Sequence, residues 1–254
     1  MSPDCRTPLC GVILAAGLGT RMRPLTNDLP KPLVSLAGKP LLDHLLDRVT
    51  AADVPQAVLK VHYRAAQIET HLHARLKPTI IISDERAQLL DTGGGVRQAL
   101  ARAEAEIGLA LRDGPILIHN SDSVWAEQSV SNLQRLFTVW DDAKMDALLL
   151  LAPLSRCLGY DGHGDFVMAQ DGRLQRRDAQ SPTPFAFIGV SLAHPRLLSG
   201  LPEGAFSLNL AWDRSLAQGR VFGLCLEGTW MHVGTPAALH DAEAFLRNTS
   251  GEPV

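Results

Sequence analysis

A series of short, continuous apolar runs limits what this chain can fold into. Residues 11–15, 57–61, 79–83, 115–119 and 146–152 are apolar throughout or nearly so, and each is too short for a buried helix. Runs of this length, without polar alternation, read as strands covered on both faces. Between them lie segments of helical period. Leu41, Leu42, Leu45, Leu46 and Val49 recur at helical spacing behind Pro40, which suits a first turn. Residues 64–76, 95–107 and 132–140 carry further helical patterns. Such alternation predicts an α/β fold, a Rossmann-like and mainly parallel sheet flanked by helices.

The texture changes after Pro153. Residues 166–169, 173–177 and 185–192 predict hairpin or mixed strands. A helix is expected over 206–218, strands over 221–226 and 229–233, and a closing helix over 236–247. No linker separates the two textures. The expectation is one domain over 1–254, with a first half over about 11–152 and a small mixed lobe over about 153–247.

Composition excludes several classes. The 254 residues are 46% hydrophobic and 20% charged, enough for a sizeable core without metal or disulfide support. The net charge of −3 argues against a nucleic-acid binder, which would carry a basic stripe. No apolar run approaches the roughly 20 residues of a membrane helix. The first ten residues lack the apolar stretch of a signal peptide. Cys5, Cys10, Cys157 and Cys225 form no CxxC pair and no zinc spacing, so free thiols in a reducing cytoplasm are expected.

Chemistry concentrates where the first strand ends, in Leu14-Ala15-Ala16-Gly17-Leu18-Gly19-Thr20-Arg21-Met22-Arg23-Pro24. Glycines directly after a strand let backbone N–H groups wrap a phosphate. A dinucleotide fingerprint needs glycine at position 22, where Met22 stands, so a nicotinamide-dependent oxidoreductase is disfavoured. A Walker A loop needs Gly-Lys-Ser/Thr, which is absent. Instead, Arg21 follows the second glycine by two residues, and Pro30-Lys31-Pro32-Leu33 follows shortly after. The guanidinium fork of Arg21 suits a pyrophosphate. Lys31, between two prolines, is a compact charge on a restricted backbone. Arg23 is open to either a phosphate role or a solvated one, and Lys39 reads as surface.

The string from Gly17 to Leu33 resembles the signature of the sugar-1-phosphate nucleotidyltransferases, the nucleoside-diphosphate-sugar pyrophosphorylases. Further motifs extend the resemblance to about Leu246. Asp91-Thr92-Gly93-Gly94-Gly95 is similar to the segment that lies against the nucleobase. In His119-Asn120-Ser121-Asp122, Asp122 matches the family's Mg²⁺-holding aspartate, and Ser121 departs from its glycine. Asp161-Gly162-His163-Gly164-Asp165-Phe166 and Phe187-Ile188-Gly189-Val190 are similar to segments that face the sugar phosphate. Trp230-Met231-His232-Val233-Gly234-Thr235 resembles Trp-x-Asp-x-Gly-Thr, with His232 in place of the second metal-binding aspartate. The Glu-Lys-Pro of many relatives is missing, and Arg173, Arg176 and Arg177 nearby receive no role from sequence.

The resemblance implies nucleotidyl transfer from a nucleoside triphosphate to a sugar 1-phosphate, with release of pyrophosphate. It implies catalysis by Arg21, Lys31 and Asp122. Nucleotide contacts are expected from Ala15, Ala16, Gly17, Gly19, Thr20, Arg21, Lys31, Gly93 and Gly94. Sugar-phosphate contacts are expected from Asn120, Gly164, Asp165 and Gly189. Mg²⁺ is expected on Asp122 and His232. Imidazole also suits Mn²⁺ or Co²⁺, so His232 is open to three roles: a softer metal, no metal at all, or the sugar phosphate itself. The triple glycine and the Gly-Asp-Phe segment point to UTP and N-acetylmuramic acid 1-phosphate, a substrate pair of bacterial cell-wall recycling. Two alternatives stand: a guanylyl- or thymidylyltransferase for a hexose 1-phosphate, and a non-catalytic regulatory or assembly subunit, which Ser121 and His232 leave open. A cytoplasmic monomer or homodimer, with no nucleic-acid or membrane partner, completes the expectation.

Overall fold

The computed structural model describes residues 7–108, 114–178 and 183–250. In chain order the elements are β1 (Cys10–Leu14), β2 (Ser35–Leu36), β3 (Lys39–Pro40), α1 (Leu41–Ala51), β4 (Gln56–Val61), α2 (Ala65–Leu72), β5 (Thr79–Asp84) and α3 (Asp91–Ile107). They continue with β6 (Ile116–Asn120), β7 (Ser123–Glu127), α4 (Asn132–Val139), β8 (Ala147–Pro153), β9 (Cys157–Leu158), β10 (Phe166–Met168), β11 (Leu174–Arg176) and β12 (Phe185–Ala193). The chain closes with α5 (Leu208–Ala217), β13 (Val221–Cys225), β14 (Gly228–His232) and α6 (Pro236–Ser250).

The sheet is mixed and flanked by helices. Strands β6, β1, β4 and β5 are parallel neighbours, and β13 runs parallel to β8. Strand β12 is antiparallel to both β6 and β8, so residues from both textures of the sequence share one nine-stranded sheet. Its two faces are covered by separate apolar layers. Leu42, Leu45 and Val49 of α1, Ile68 of α2 and Phe137 of α4 pack on one face. Val96, Ala99 and Ala103 of α3 and Ala211 and Trp212 of α5 pack on the other. Within β1, Ile13 joins the first layer while Cys10 and Val12 join the second. This is why the run is continuously apolar.

The β12 strand outruns β6. Val190 to Ala193 pair with His119 to Ile116, but β12 begins five residues earlier, at Phe185, which pairs with Phe166 of β10. A register shift lies between Phe187 and Ser191, where Gly189 has φ +82. The ground beyond the carboxyl end of β6 is therefore framed by β12 and β10, and ligands of open α/β sheets bind at such ends.

The sequence expectation is corrected in several places. Residues 123–127, for which the sequence pattern gives no element, form β7, which pairs with β14 and, through it, β9 in a three-stranded sheet. Neither β7 nor β9 has a strand-like pattern of its own, and both owe their pairing to β14. The helix expected over 64–76 stops at Leu72, and Lys77-Pro78 follows before β5. Helix α3 starts at Asp91, so the three glycines lie inside its first turns. A Cβ on Gly94 would sit 2.1 Å from the Gly204 carbonyl oxygen, and one on Gly95 would sit 2.2 Å from Lys60 Nζ. Their smallness lets α3 press onto the 204–206 segment and onto the buried Lys60–Glu85 pair, 3.2 Å apart.

Cys10, Cys157 and Cys225 are free thiols, and Cys5 lies outside the described residues. Burial pushes the Cys10 thiol up to about 12 and the Cys157 thiol up to about 11. Neither is a thiolate nucleophile at neutral pH.

Gly94→Ala forces a Cβ into backbone, and overpacking of this kind costs about 1–3 kcal/mol. Thermal melting should fall by roughly 2–4 °C per kcal/mol. Gly17→Ala, where a Cβ has open space, should melt like the parent.

Candidate active site

The glycine loop leaves β1 with Ala15 and Ala16 buried and Gly17 to Arg21 at the surface. Gly19 takes the left-handed conformation, φ +65, and Thr20–Met22 forms a 3-10 turn. Thr26 Oγ1 donates to the Gly19 carbonyl at 2.7 Å and closes the loop on itself. A Cβ at Gly19 would sit 3.1 Å from the Lys31 Cβ, so glycine lets the loop approach the lysine. Met22 is fully buried against Val34, Leu36, Leu41, Val124 and Met231. Where a dinucleotide fingerprint has its third glycine, this loop has an apolar anchor.

Lys31 opens a second 3-10 turn, Lys31–Leu33, with Pro32 buried beneath it. Its Nζ lies 2.6 Å from Asp122 Oδ2. Asp122 is held just past β6, where the Ser121 amide donates to the Leu14 carbonyl at 3.3 Å. Burial opposes ionisation of Asp122. The Lys31 ammonium and, after it, His232 outweigh that and hold the carboxyl below its usual range. His232 reaches the same place from the other sheet, because β14 pairs it with Ser123 of β7. Burial pushes the imidazole pKa down, Asp122 opposes this, and Lys31 and Arg21 add to the lowering. His232 is therefore neutral near neutral pH, with its ring nitrogens available as an acceptor or a ligand. Tyr160 and Trp230 hold it edge-on, with ring centroids 6.0 and 5.2 Å away.

Two cavities meet at this pair. The smaller, about 270 Å³, is lined by Ala16, Gly17, Lys31, Lys60, Asp91, Thr92, Asn120 and Asp122. The larger, about 480 Å³, includes Arg21, Asn120, Asp122, Tyr160, Asp165, Gly189 and His232. Leu14, Asp91, Thr92, Asn120 and Asp122 line both. The two cavities together bring Arg21, Lys31 and Asp122 to one place.

Other expected residues are placed differently. Gly93 and Gly94 line neither cavity. Their N–H groups donate to the Phe206 carbonyl at 2.8 and 3.1 Å, so helix packing uses them. Asp91 and Thr92, just ahead, face both cavities in their stead. Gly164, φ +80, is buried with no room for a Cβ beside the Thr183 carbonyl, and it shapes the turn rather than the cavity wall. Asp165 does line the larger cavity, and its Oδ2 accepts from the Phe187 amide at 2.8 Å. At Gly189 a Cβ would meet the Asn120 side chain at 2.5 Å, so glycine lets β12 cross close over Asn120. Ala15, Gly19 and Thr20 belong to the same loop and line neither cavity. Lys39 pairs with Asp47 on the surface, away from the site.

Sequence reasoning missed Arg176, Asn209 and Trp212, which wall the larger cavity from β11 and α5. Their signals are ordinary: a charged hairpin and an amphipathic helix. Among the described residues, no group of three or more His, Cys, Asp or Glu side chains is arranged to hold a metal. Asp122 and His232 remain as two protein donors.

The nucleotidyl transferase family model matches residues 10–157, including the loop, Lys31 and Asp122. The chain belongs to that family. It is 46% identical to an N-acetylmuramate alpha-1-phosphate uridylyltransferase of Caulobacter vibrioides, over 95% of this chain and 98% of the relative. It is 30% identical to one of Neisseria meningitidis, over 92% and 96%. Among solved structures, HddC from Yersinia pseudotuberculosis, complexed with GMP-PN, matches with a TM-score of 0.72 at 20% identity over 93% of this chain and 99% of that one. The last likeness concerns the fold. The chain is a sugar-1-phosphate nucleotidyltransferase.

Removing a preorganised cationic contact at a reacting phosphate lowers turnover by about 10²–10³-fold. Lys31→Ala should lose activity on that scale in a pyrophosphate-release assay while its circular dichroism matches the parent. Activity within a few-fold of the parent would remove Lys31 from the chemistry.

Proposed function

We propose that the chain transfers the uridylyl group of UTP to the 1-phosphate of N-acetylmuramic acid, giving the uridine diphosphate sugar and pyrophosphate. The observation that carries this reading is the near full-length likeness to two proteins of that activity, spanning both cavities rather than the glycine loop alone. The smaller cavity, with Gly17 and Lys31, is the place for the nucleotide. The larger, with Asp165 and Gly189, is the place for the sugar phosphate. A guanylyl- or thymidylyltransferase is the rival for the base. With family membership established and the Lys31–Asp122 pair in place, no observation favours the non-catalytic reading.

In this mechanism an acceptor phosphate oxygen attacks the α-phosphorus of UTP, and pyrophosphate leaves from the opposite side. The attacking oxygen is already anionic, so no general base is needed. Loop amides and Arg21 hold the leaving phosphates, and Lys31 offsets charge at the α-phosphate. Asp122 aims Lys31 through their 2.6 Å contact. A divalent cation fits the same place in part: one carboxylate and one neutral imidazole are present, and substrate phosphates would complete the shell. When bound, it would neutralise charge between the two anionic substrates. Asp122 suits Mg²⁺, whereas His232 suits Mn²⁺ or Co²⁺ as well. No helix among the described residues is long and apolar enough to cross a membrane, and a cytoplasmic place is consistent with this.

Pyrophosphate release from UTP, GTP, dTTP, CTP and ATP against a panel of sugar 1-phosphates tests the substrate pair. UTP with N-acetylmuramic acid 1-phosphate should have the highest kcat/KM. A higher value for GTP or dTTP with a hexose 1-phosphate would overturn it. His232→Asp should shift metal preference toward Mg²⁺ over Mn²⁺, and an unchanged metal profile would place His232 outside the metal shell.

A further inference from the structure

The larger cavity contains a guanidinium that the reaction as described does not use. Arg176 ends β11 and lies opposite Phe166 of β10. Its guanidinium carbon sits 5.1 Å from the Phe166 ring centroid. Nε donates to Asp213 Oδ1 and Nη2 donates to Asn209 Oδ1, both at 2.8 Å. Asp213 and Asn209 belong to α5, so one edge of the fork is fixed by a helix and one face by an aromatic ring. An arginine has five N–H donors. Among the described residues, no hydrogen bond uses those on Nη1, and the side chain lines the cavity. This is a preorganised guanidinium with its Nη1 donors free for an anion.

Its distance from the chemistry decides which anion. Just past β6, Ser123 Oγ donates to the Ile188 carbonyl of β12, and β12 meets β10 at Phe185, three residues earlier. That is about 10 Å of strand, at roughly 3.3 Å per residue. Lys31 and Asp122 stand at the β6 end of this stretch and Arg176 at the β10 end. The anomeric phosphate must sit beside Lys31 to reach the α-phosphorus. Arg176 therefore faces the far side of the sugar. N-acetylmuramic acid differs from N-acetylglucosamine by an O-lactyl ether on C3, whose carboxylate is the second anion of the substrate, on the ring side away from the phosphate.

We propose that Arg176, oriented by Asp213 and Asn209, binds the carboxylate of the acceptor's lactyl ether and so selects a carboxylate-bearing amino-sugar 1-phosphate over its neutral-ring counterpart. This rests on the acceptor reading above and assigns a residue to its specificity. An asparagine–aspartate clamp that leaves Nη1 open binds a planar carboxylate without drawing the anomeric phosphate away from Lys31.

The test compares two acceptors, N-acetylmuramic acid 1-phosphate and N-acetylglucosamine 1-phosphate. Arg176→Gln and Arg176→Lys are assayed with UTP. KM is measured for the first acceptor, and Ki for the second as a competitor, so that binding is read even without its turnover. Loss of one charged hydrogen-bonded contact weakens binding by about 10- to 100-fold. Arg176→Gln should raise KM for the muramic acid phosphate on that scale, with a smaller change in kcat, and leave the Ki of the glucosamine phosphate within about two-fold. Arg176→Lys should recover part of the loss, since it keeps the charge without the fork. An equal shift for both acceptors, or none for either, would overturn the assignment. Equal shifts would mean Arg176 serves the phosphate or the local fold, and a lowered melting temperature would tell the fold apart. Should the parent chain make no pyrophosphate from UTP and N-acetylmuramic acid 1-phosphate, the acceptor reading fails and this one with it. Parent turnover with an unshifted Arg176→Gln fails this assignment alone.

Discussion

The 2.6 Å contact between Lys31 and Asp122 joins two parts of the chain that are far apart in sequence. Two polyanionic substrates must meet in this protein, and their repulsion has to be offset before any bond changes. The chain does so with few charges. Lys31 stands on a proline-restrained turn, and Asp122 stands at the carboxyl end of a buried strand, so neither backbone drifts. Asp122 stays ionised despite its burial because Lys31 is beside it. The pair thus sets both the position of the cation and the negative charge that a metal would require. His232, neutral and edge-packed by Tyr160 and Trp230, adds a nitrogen donor without adding charge.

Around that pair, a mismatch of strand lengths makes the room. Strand β12 continues past β6, and the register shift near Gly189 lets it do so while crossing close over Asn120. The result is a cavity of about 480 Å³ with the reacting end at β6 and an arginine at β10. At the smaller cavity, Gly93 and Gly94 draw α3 onto the 204–206 segment, Gly95 draws it onto Lys60 and Glu85, and Asp91 and Thr92 come to the cavity edge. Both cavities therefore depend on close backbone packing at glycine as much as on the side chains that face a ligand.

Much of this was legible in the chain. The apolar runs identified β1, β4, β5, β6 and β8, because a strand buried on both faces has nowhere to place a polar residue. The glycine loop and Lys31 stood out because phosphate chemistry demands those residue types in one short segment. The elements β7 and β9 were missed because their pairing with β14 is imposed from a distance. The packing role of Gly93 and Gly94 was not legible for a related reason. A glycine does not record in its letter which carbonyl will pack on it, and only the folded chain shows the Phe206 contacts.

The sequence by itself determined the fold class, and it pointed to the glycine loop, Arg21, Lys31 and Asp122 through local pattern and family resemblance. Tertiary structure alone decided that β14 pairs with β7 to carry the expected His232 to Asp122, and that α5 holds Arg176 through Asn209 and Asp213 at the wall of the larger cavity. The physical reason is contact range. Backbone conformation and burial period are read over a few residues, whereas a site wall is assembled where strands of unequal length end, and no local stretch of sequence records that meeting.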